Sequence, residues 1–142
     1  MIVKNKLARV VAVSAAAAGL ALALQTSASA ATTVSVSPAT GLANNQQVAV
    51  TASGLTPNTV FHIGQCAQVA PGKYGCDKTT AVDVTSDANG NINSSLVVHS
   101  SYQAVVDASG NIWGTVDAKA TQTFVSVMND LGTGGFQNIS FK

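Results

Sequence analysis

Two cysteines and two histidines carry most of the chemistry that this 142-residue chain could perform. Cys66 and Cys76 lack the Cys-x-x-Cys spacing of redox-active pairs, so their spacing favours a structural role. His62 and His99 have no third clustered ligand for zinc, and no Gly-x-Ser-x-Gly nucleophile motif accompanies them. We interpret both as ordinary strand or surface histidines and expect neither an enzyme nor a metal site.

The N-terminal 30 residues have the pattern of a secretory signal peptide. Three basic residues precede an apolar run over residues 10–24, and the small residues Ala28-Ser29-Ala30 supply a cleavage site. The apolar run is shorter than a membrane span requires. We therefore expect a signal at residues 1–30 and one secreted, extracellular domain at residues 31–142, with no membrane span.

Export also decides the expected state of the cysteines. In an oxidising compartment Cys66 and Cys76, with nine residues between them, are expected to pair and to leave no free thiol. Closing so short a loop stabilises a fold by about 3 kcal/mol in the chain-entropy description.

The domain expected after cleavage is acidic, although the whole chain has a formal net charge of +1. Residues 31–142 contain four lysines, six aspartates and no arginine or glutamate, which gives a net charge of −2. Without a basic cluster the domain has little with which to neutralise phosphates. Direct electrostatic binding of the protein to nucleic acid is therefore not expected.

Alternation of apolar and polar residues with a period of two dominates the sequence after the signal, and no helical period occurs there. Such alternation is typical of strands with one buried face. The predicted strands cover 34–37, 48–53, 59–66, 81–85, 95–99, 112–116, 121–128 and 138–141. Seven or so short strands separated by close turns predict an all-β fold, an immunoglobulin-like seven-stranded antiparallel β-sandwich.

Two turn sequences repeat one pattern twenty residues apart: Asp87-Ala88-Asn89-Gly90-Asn91-Ile92 and Asp107-Ala108-Ser109-Gly110-Asn111-Ile112. An aspartate accepts backbone hydrogen bonds at the start of such a turn, and glycine adopts the positive φ. We interpret both as hairpins. Calcium binding is not expected, because the chain has no glutamate to complete a calcium loop.

The runs most specific for a known family surround the cysteines and the single tryptophan: Gly64-Gln65-Cys66-Ala67-Gln68-Val69, Tyr74-Gly75-Cys76 and Trp113-Gly114-Thr115-Val116-Asp117. Together they resemble the neocarzinostatin family, small secreted apoproteins that carry and shield enediyne chromophores. Weaker likenesses near residues 37–42, 87–90 and 139–141 extend the resemblance over nearly all of the expected mature chain.

The resemblance also implies a cleft in which a chromophore lies over the disulfide. Its positions fall on Cys66, Cys76, Gln68, Tyr74, Ala81, Tyr102, Val105, Asp107, Phe124, Ser126 and Met128. Tyr74, Tyr102 and Phe124 could stack on a flat ligand, whereas Ser126 and Gln68 could donate or accept hydrogen bonds. The alternative for each aromatic residue is that it closes one end of the sandwich core.

Two departures from the family pattern bear on the ligand. A second disulfide is expected from the resemblance, but Ala118 and Thr123 stand where its cysteines belong. Cleft positions that tend to be bulky in the family are Gln68, Ala81, Val105 and Asp107 here, which predicts a wider and more polar cleft.

The preferred function is non-covalent carriage of a hydrophobic, enediyne-type chromophore by a monomeric secreted protein that is not an enzyme and has no other cofactor. The resemblance implies an antimicrobial role in which the released chromophore, not the protein, damages DNA. The alternative is an extracellular interaction module without a chromophore, which the missing disulfide and the less aromatic cleft would favour.

Overall fold

The computed structural model describes residues 31–142. The predicted signal, residues 1–30, lies outside the described residues. Ten strands form the domain: β1 Thr33–Ser37, β2 Gln46–Ser53, β3 Val60–Ala70, β4 Lys73–Asp77, β5 Val82–Thr85, β6 Ile92–Val98, β7 Ser101–Val105, β8 Ile112–Asp117, β9 Thr123–Met128 and β10 Gly134–Ile139. Residues 31–142 contain no helix long and apolar enough to cross a membrane.

The strands form two antiparallel sheets. The small sheet has the order β1-β2-β6, and the large sheet has the order β10-β9-β3-β4-β7-β8, with β5 paired to the first part of β3. Apolar residues from both sheets, including Val50, Phe61, Ile63 and Val127, form one buried core between them. The predicted all-β sandwich is confirmed.

The structure contains ten strands within residues 31–142, more than the seven or so predicted. β4 and β7 were not predicted, because neither Lys73–Asp77 nor Ser101–Val105 has a clean apolar alternation. β10 begins at Gly134, earlier than predicted, because Gly134 and Gly135 offer no side-chain pattern. Both unpredicted strands belong to the large sheet and complete it.

The two Asp-x-x-Gly-Asn-Ile turns share their internal hydrogen bonds but join different elements. Asp87 Oδ1 accepts from two backbone N–H groups of its turn at 2.8 and 2.9 Å, and Asp107 Oδ1 does so at 3.0 and 3.1 Å. The Asp107 turn joins the paired strands β7 and β8, as predicted. The hairpin predicted at Asp87 is wrong, because β5 and β6 lie in different sheets.

The disulfide between Cys66 and Cys76 is present, and no cysteine within residues 31–142 is free. The two residues are direct cross-strand neighbours on β3 and β4. The bridge therefore ties the middle of the longest strand to the strand beside it.

Candidate functional site

The two faces of the large sheet differ in what covers them. Along β9, Thr123, Val125 and Val127 are buried, whereas the alternate residues Phe124, Ser126 and Met128 are partly exposed. The first set points to the small sheet. Because successive side chains of a strand point to opposite faces, the second set points away from it. We call the second face the outer face of the large sheet.

Strand pairing extends the outer face across four strands. On β3, Cys66 lies opposite Phe124 of β9 and also opposite Cys76 of β4. On β10, Asn138 lies opposite Phe124. Since directly opposed residues share a face, side chains from β10, β9, β3 and β4 converge on one surface.

A cavity of about 570 Å³ opens on this surface. Its lining consists of Cys66, Gln68, Tyr74, Cys76, Gln122, Phe124, Ser126, Met128, Phe136 and Asn138. The size lies within the range of small-molecule sites. The disulfide forms part of the wall, so a bound molecule would contact sulfur that cannot act as a free thiol.

Three aromatic rings line the cavity, and Phe124 contacts the other two. The centroids of Tyr74 and Phe124 are 6.0 Å apart with the planes nearly perpendicular, at 77°. The centroids of Phe124 and Phe136 are 5.2 Å apart at 57°. Both separations lie in the favourable range for aromatic pairs. The tilted rings leave Tyr74 and Phe136 half exposed, at 53% and 59%, so their faces are accessible to a flat ligand.

The polar groups of the lining are neutral. Gln68, Gln122, Asn138 and Ser126 contribute amides and a hydroxyl, and no aspartate, lysine or histidine is among the lining residues. Gln122 Nε2 donates to the carbonyl oxygens of Thr123 and Ile139 at 2.8 and 3.0 Å, which fixes that side chain at one end of the cavity. The surface is therefore suited to an uncharged molecule with a few hydrogen-bonding groups.

Seven residues of the predicted cleft line this cavity: Cys66, Cys76, Gln68, Tyr74, Phe124, Ser126 and Met128. Tyr102 does not. It lies opposite Val116 and packs with Ala67 and Ala104 in a small second core on the inner face of the sheet. The placement of Tyr102 in the cleft is therefore wrong, because pairing turns its side chain to the other face.

The other predicted cleft residues, Val105, Ala81 and Asp107, do not line the cavity. Val105 is opposite Cys76 and so shares the outer face. A β-carbon added at Gly64 would lie 3.7 Å from that of Ala81, which places Ala81 beside the outer face. Asp107 binds the backbone of its own exposed turn, which holds the pKa of its carboxyl below the usual value through hydrogen bonds from Asn111.

Sequence reasoning missed three lining residues: Gln122, Phe136 and Asn138. Phe136 and Asn138 belong to β10, whose beginning was not predicted. A strand predicted from Gly134 would have placed both on one face by alternation.

A buried polar network on the inner face was also missed. Gln65 exchanges two hydrogen bonds of 2.8 Å with the backbone of His99, and His99 Nδ1 lies 2.6 Å from Asp77 Oδ2. Burial alone would raise the pKa of Asp77, but hydrogen bonds from Thr79 and His99 outweigh it and hold that pKa below its usual value. The network connects β3 and β4 to the link between β6 and β7.

The second histidine, His62, lies on the outer face and bridges two carboxylates. Its Nδ1 is 2.6 Å from Asp83 Oδ1, and its Nε2 is 2.8 Å from Asp130 Oδ1. The hydrogen bond to Asp83, followed by that to Asp130, raises the pKa of His62 above its usual value. No group of three or more histidine, cysteine or acidic residues within residues 31–142 is arranged to hold a metal ion.

Comparison with known proteins agrees with this architecture. The sequence model of the Neocarzinostatin family matches residues 34–141. Macromomycin of Streptomyces macromomyceticus is 56% identical over 106 residues, which are 75% of this chain and 74% of that protein. The antitumor antibiotic C-1027 apoprotein of Streptomyces globisporus is 43% identical over 67 residues, 47% of this chain and 46% of that protein.

A solved structure of macromomycin also matches, with a TM-score of 0.77 and 54% sequence identity, and the match covers 79% of this chain and 100% of that one. The likeness therefore extends over sequence, sheet architecture and nearly the whole described domain. The chain belongs to the neocarzinostatin family.

Proposed function

We propose that residues 31–142 are a secreted carrier that binds a flat, hydrophobic chromophore without a covalent bond and protects it in the outer-face cavity. The observation that carries the proposal is the cavity itself: about 570 Å³, walled by a closed disulfide and three aromatic rings. One relative is named the apoprotein of an antitumor antibiotic. A carrier of an antibacterial chromophore is the corresponding role for this chain.

The physical basis of protection is exclusion. A conjugated ligand lying over the disulfide and against Tyr74, Phe124 and Phe136 replaces water with carbon on the face that it buries, which stabilises the complex by burial and stacking. The only sulfur groups of the lining are the disulfide and the thioether of Met128, so no thiolate is present to attack the ligand. The carrier therefore shields its ligand and performs no reaction on it, and any damage to DNA comes from the released chromophore.

Purification from the native culture medium tests the proposal most directly. The secreted protein should carry a compound that absorbs in the near-ultraviolet or visible range and that an organic solvent extracts. The intact mass after extraction should equal that of a chain beginning at Ala31 with one disulfide. A protein that never carries such a compound would contradict the carrier role.

Substitutions then assign the compound to the cavity. Phe124→Ala and Tyr74→Ala each remove stacking area and should weaken binding by about 1–3 kcal/mol, roughly ten- to a hundredfold. Ile112→Ala is the matched control, because Ile112 is exposed on β8 and does not line the cavity. Equal losses in all three variants would place the ligand elsewhere.

A second candidate, an extracellular interaction module, is supported by one observation. Ile112 and Trp113 are 61% and 50% exposed on β8, the edge strand of the large sheet. Exposed apolar groups on an edge strand are suited to a protein partner. If Trp113→Ala abolished attachment to a protein or cell while Phe124→Ala had no effect, the module would replace the carrier.

A further inference from the structure

We propose that His62 is a positioning residue that latches the tip of the β9–β10 hairpin, residues 129–133, beside the cavity, and that loss of its proton loosens this latch and speeds ligand release. The inference rests on the proposed carrier function. It concerns a residue that does not line the cavity.

The hairpin is one wall of the cavity. Gln122, Phe124, Ser126 and Met128 come from β9 and the residue before it, and Phe136 and Asn138 come from β10. The remaining lining residues belong to β3 and β4. β9 is paired with β3 from Thr123 to Met128, so the part of the hairpin that can move without breaking the sheet is its tip, residues 129–133. Movement of the tip would open the cavity beside Met128.

His62 lies where the tip of that wall meets the rest of the sheet. It is opposite Met128, the last residue of β9, and on its other side it is opposite Asp83 of β5. Asp130 belongs to the turn that follows β9. The Asn129 side-chain oxygen, Oδ1, holds that turn together by accepting hydrogen bonds from the backbone N–H groups of Leu131 and Thr133, each at 3.0 Å. The contact between His62 and Asp130 thus connects the hairpin tip to β3.

The two contacts define the protonation state of the ring. Ionised carboxylates accept hydrogen bonds and cannot donate them. Both ring nitrogens of His62 lie within hydrogen-bond distance of a carboxylate oxygen, so both contacts are satisfied only when both nitrogens carry hydrogen. The latch is therefore complete in the imidazolium form, in which one cation lies between two anions.

Deprotonation leaves one hydrogen for two acceptors. Asp83 is held opposite His62 by the pairing of β3 with β5 and makes the shorter contact, 2.6 Å against 2.8 Å. Asp130 is on a turn, and its side chain is 91% exposed. The contact to Asp130 is therefore the one lost. The titratable groups that face His62 are Asp83 from β5 and Asp130 from the turn, since Met128 on β9 carries no charge.

Dissociation of a neutral probe that does not titrate tests the latch. With 1-pyrenemethanol as the probe, its rate of dissociation from the wild type should rise about two- to fivefold as the pH increases through the His62 titration, in line with the small energies of exposed ion pairs. Asp130→Ala should release the probe at the faster rate at every pH. Asp83→Ala should keep the slower rate, because a neutral ring with hydrogen on Nε2 still donates to Asp130.

A second measurement does not need a ligand. The backbone N–H of Asn129 donates to the carbonyl oxygen of Thr133 at 3.0 Å, so the protection of this N–H against hydrogen exchange reports on the hairpin tip. Its protection factor, corrected for the intrinsic effect of pH, should fall about two- to fivefold in the wild type over the same pH range. It should be low and constant in Asp130→Ala and high and constant in Asp83→Ala.

The outcomes separate the two proposals. A protection factor that changes with pH as described, in a protein that does not bind the probe, would support the latch and contradict the carrier function. Probe binding with parallel pH profiles in the wild type and both variants would support the carrier and overturn the latch.

Discussion

The two faces of the large sheet are built from the same strands but have opposite environments. On the inner face, Ile63 lies opposite Val127, and both are fully buried against the small sheet. On the outer face, Cys66 lies opposite Phe124, and a cavity lies above them. The backbone hydrogen bonds of β3 and β9 serve both faces. Alternate residues of the same strand therefore serve different purposes: those that face inward stabilise the fold, and those that face outward form the binding surface.

The largest expected effect is a loss of folding stability from the inner face. Ile63→Ala leaves a cavity in a close-packed core and should lower the free energy of unfolding by about 2–5 kcal/mol, measured by denaturant unfolding. Affinity for a polycyclic ligand should stay unchanged under conditions in which the variant is folded. A large loss of affinity in the folded variant would show that the two faces are coupled.

The disulfide tests whether an outer-face feature can also stabilise the fold. Replacing Cys66 and Cys76 together by serine should lower the free energy of unfolding by about 2–4 kcal/mol, because the cross-link restricts the unfolded chain. The sheet should persist, since β3 remains paired with β9 and β4. Circular dichroism and urea unfolding measure the two effects, and an unchanged unfolding midpoint would contradict the stabilising role.

The inner face also contains groups whose removal should stabilise the protein. Thr123 Oγ1 and the Tyr102 hydroxyl are buried and have no hydrogen-bond partner within residues 31–142, and burial raises the pKa of Tyr102 far above its usual value. Because an unsatisfied buried hydroxyl is costly, Thr123→Val and Tyr102→Phe should each raise the free energy of unfolding by about 1 kcal/mol. Lower stability in either variant would show that its hydroxyl has a partner, such as buried water.

The sequence was sufficient to predict the features that local patterns determine. The resemblance to the family predicted Phe124, Ser126 and Met128 in one cleft, and the alternation of β9 accounts for their shared face. The spacing and export of the cysteines predicted their bridge. Features that depend on strand pairing were not accessible in the same way. Tyr102 was placed in the cleft by the resemblance, whereas the pairing of β7 with β4 at Val105 and Ala104 turns its side chain to the inner face, and nothing in its own sequence specifies that pairing.

The same reasoning explains the two turns and the polar network. Asp87 and Asp107 specify nearly identical local hydrogen bonds, yet one turn crosses between sheets and the other closes a hairpin. Gly90 shows the difference, because a β-carbon there would meet the backbone of Leu55, whereas Gly110 faces open space. The contact between Asp77 and His99 likewise depends on how β4 lies beside the link after β6, which sequence spacing does not reveal.

The smallest expected effect on stability comes from Phe136, an outer-face aromatic residue that the sequence did not identify. Its ring lies against Phe124 and is 59% exposed, so Phe136→Ala removes little buried area and should change the free energy of unfolding by less than about 1 kcal/mol. Affinity for a flat ligand should fall by about 0.5–1.5 kcal/mol, roughly two- to tenfold, because one stacking partner is lost. Urea unfolding and fluorescence titration with 1-pyrenemethanol give the two values for the same preparation. Val125 lies on the adjacent strand and faces inward, so Val125→Ala should lower the free energy of unfolding more than it lowers affinity for the ligand. If Phe136→Ala instead lowered stability and left affinity unchanged, the ring would be part of the core, and the separation of the two faces would fail at the edge of the sheet.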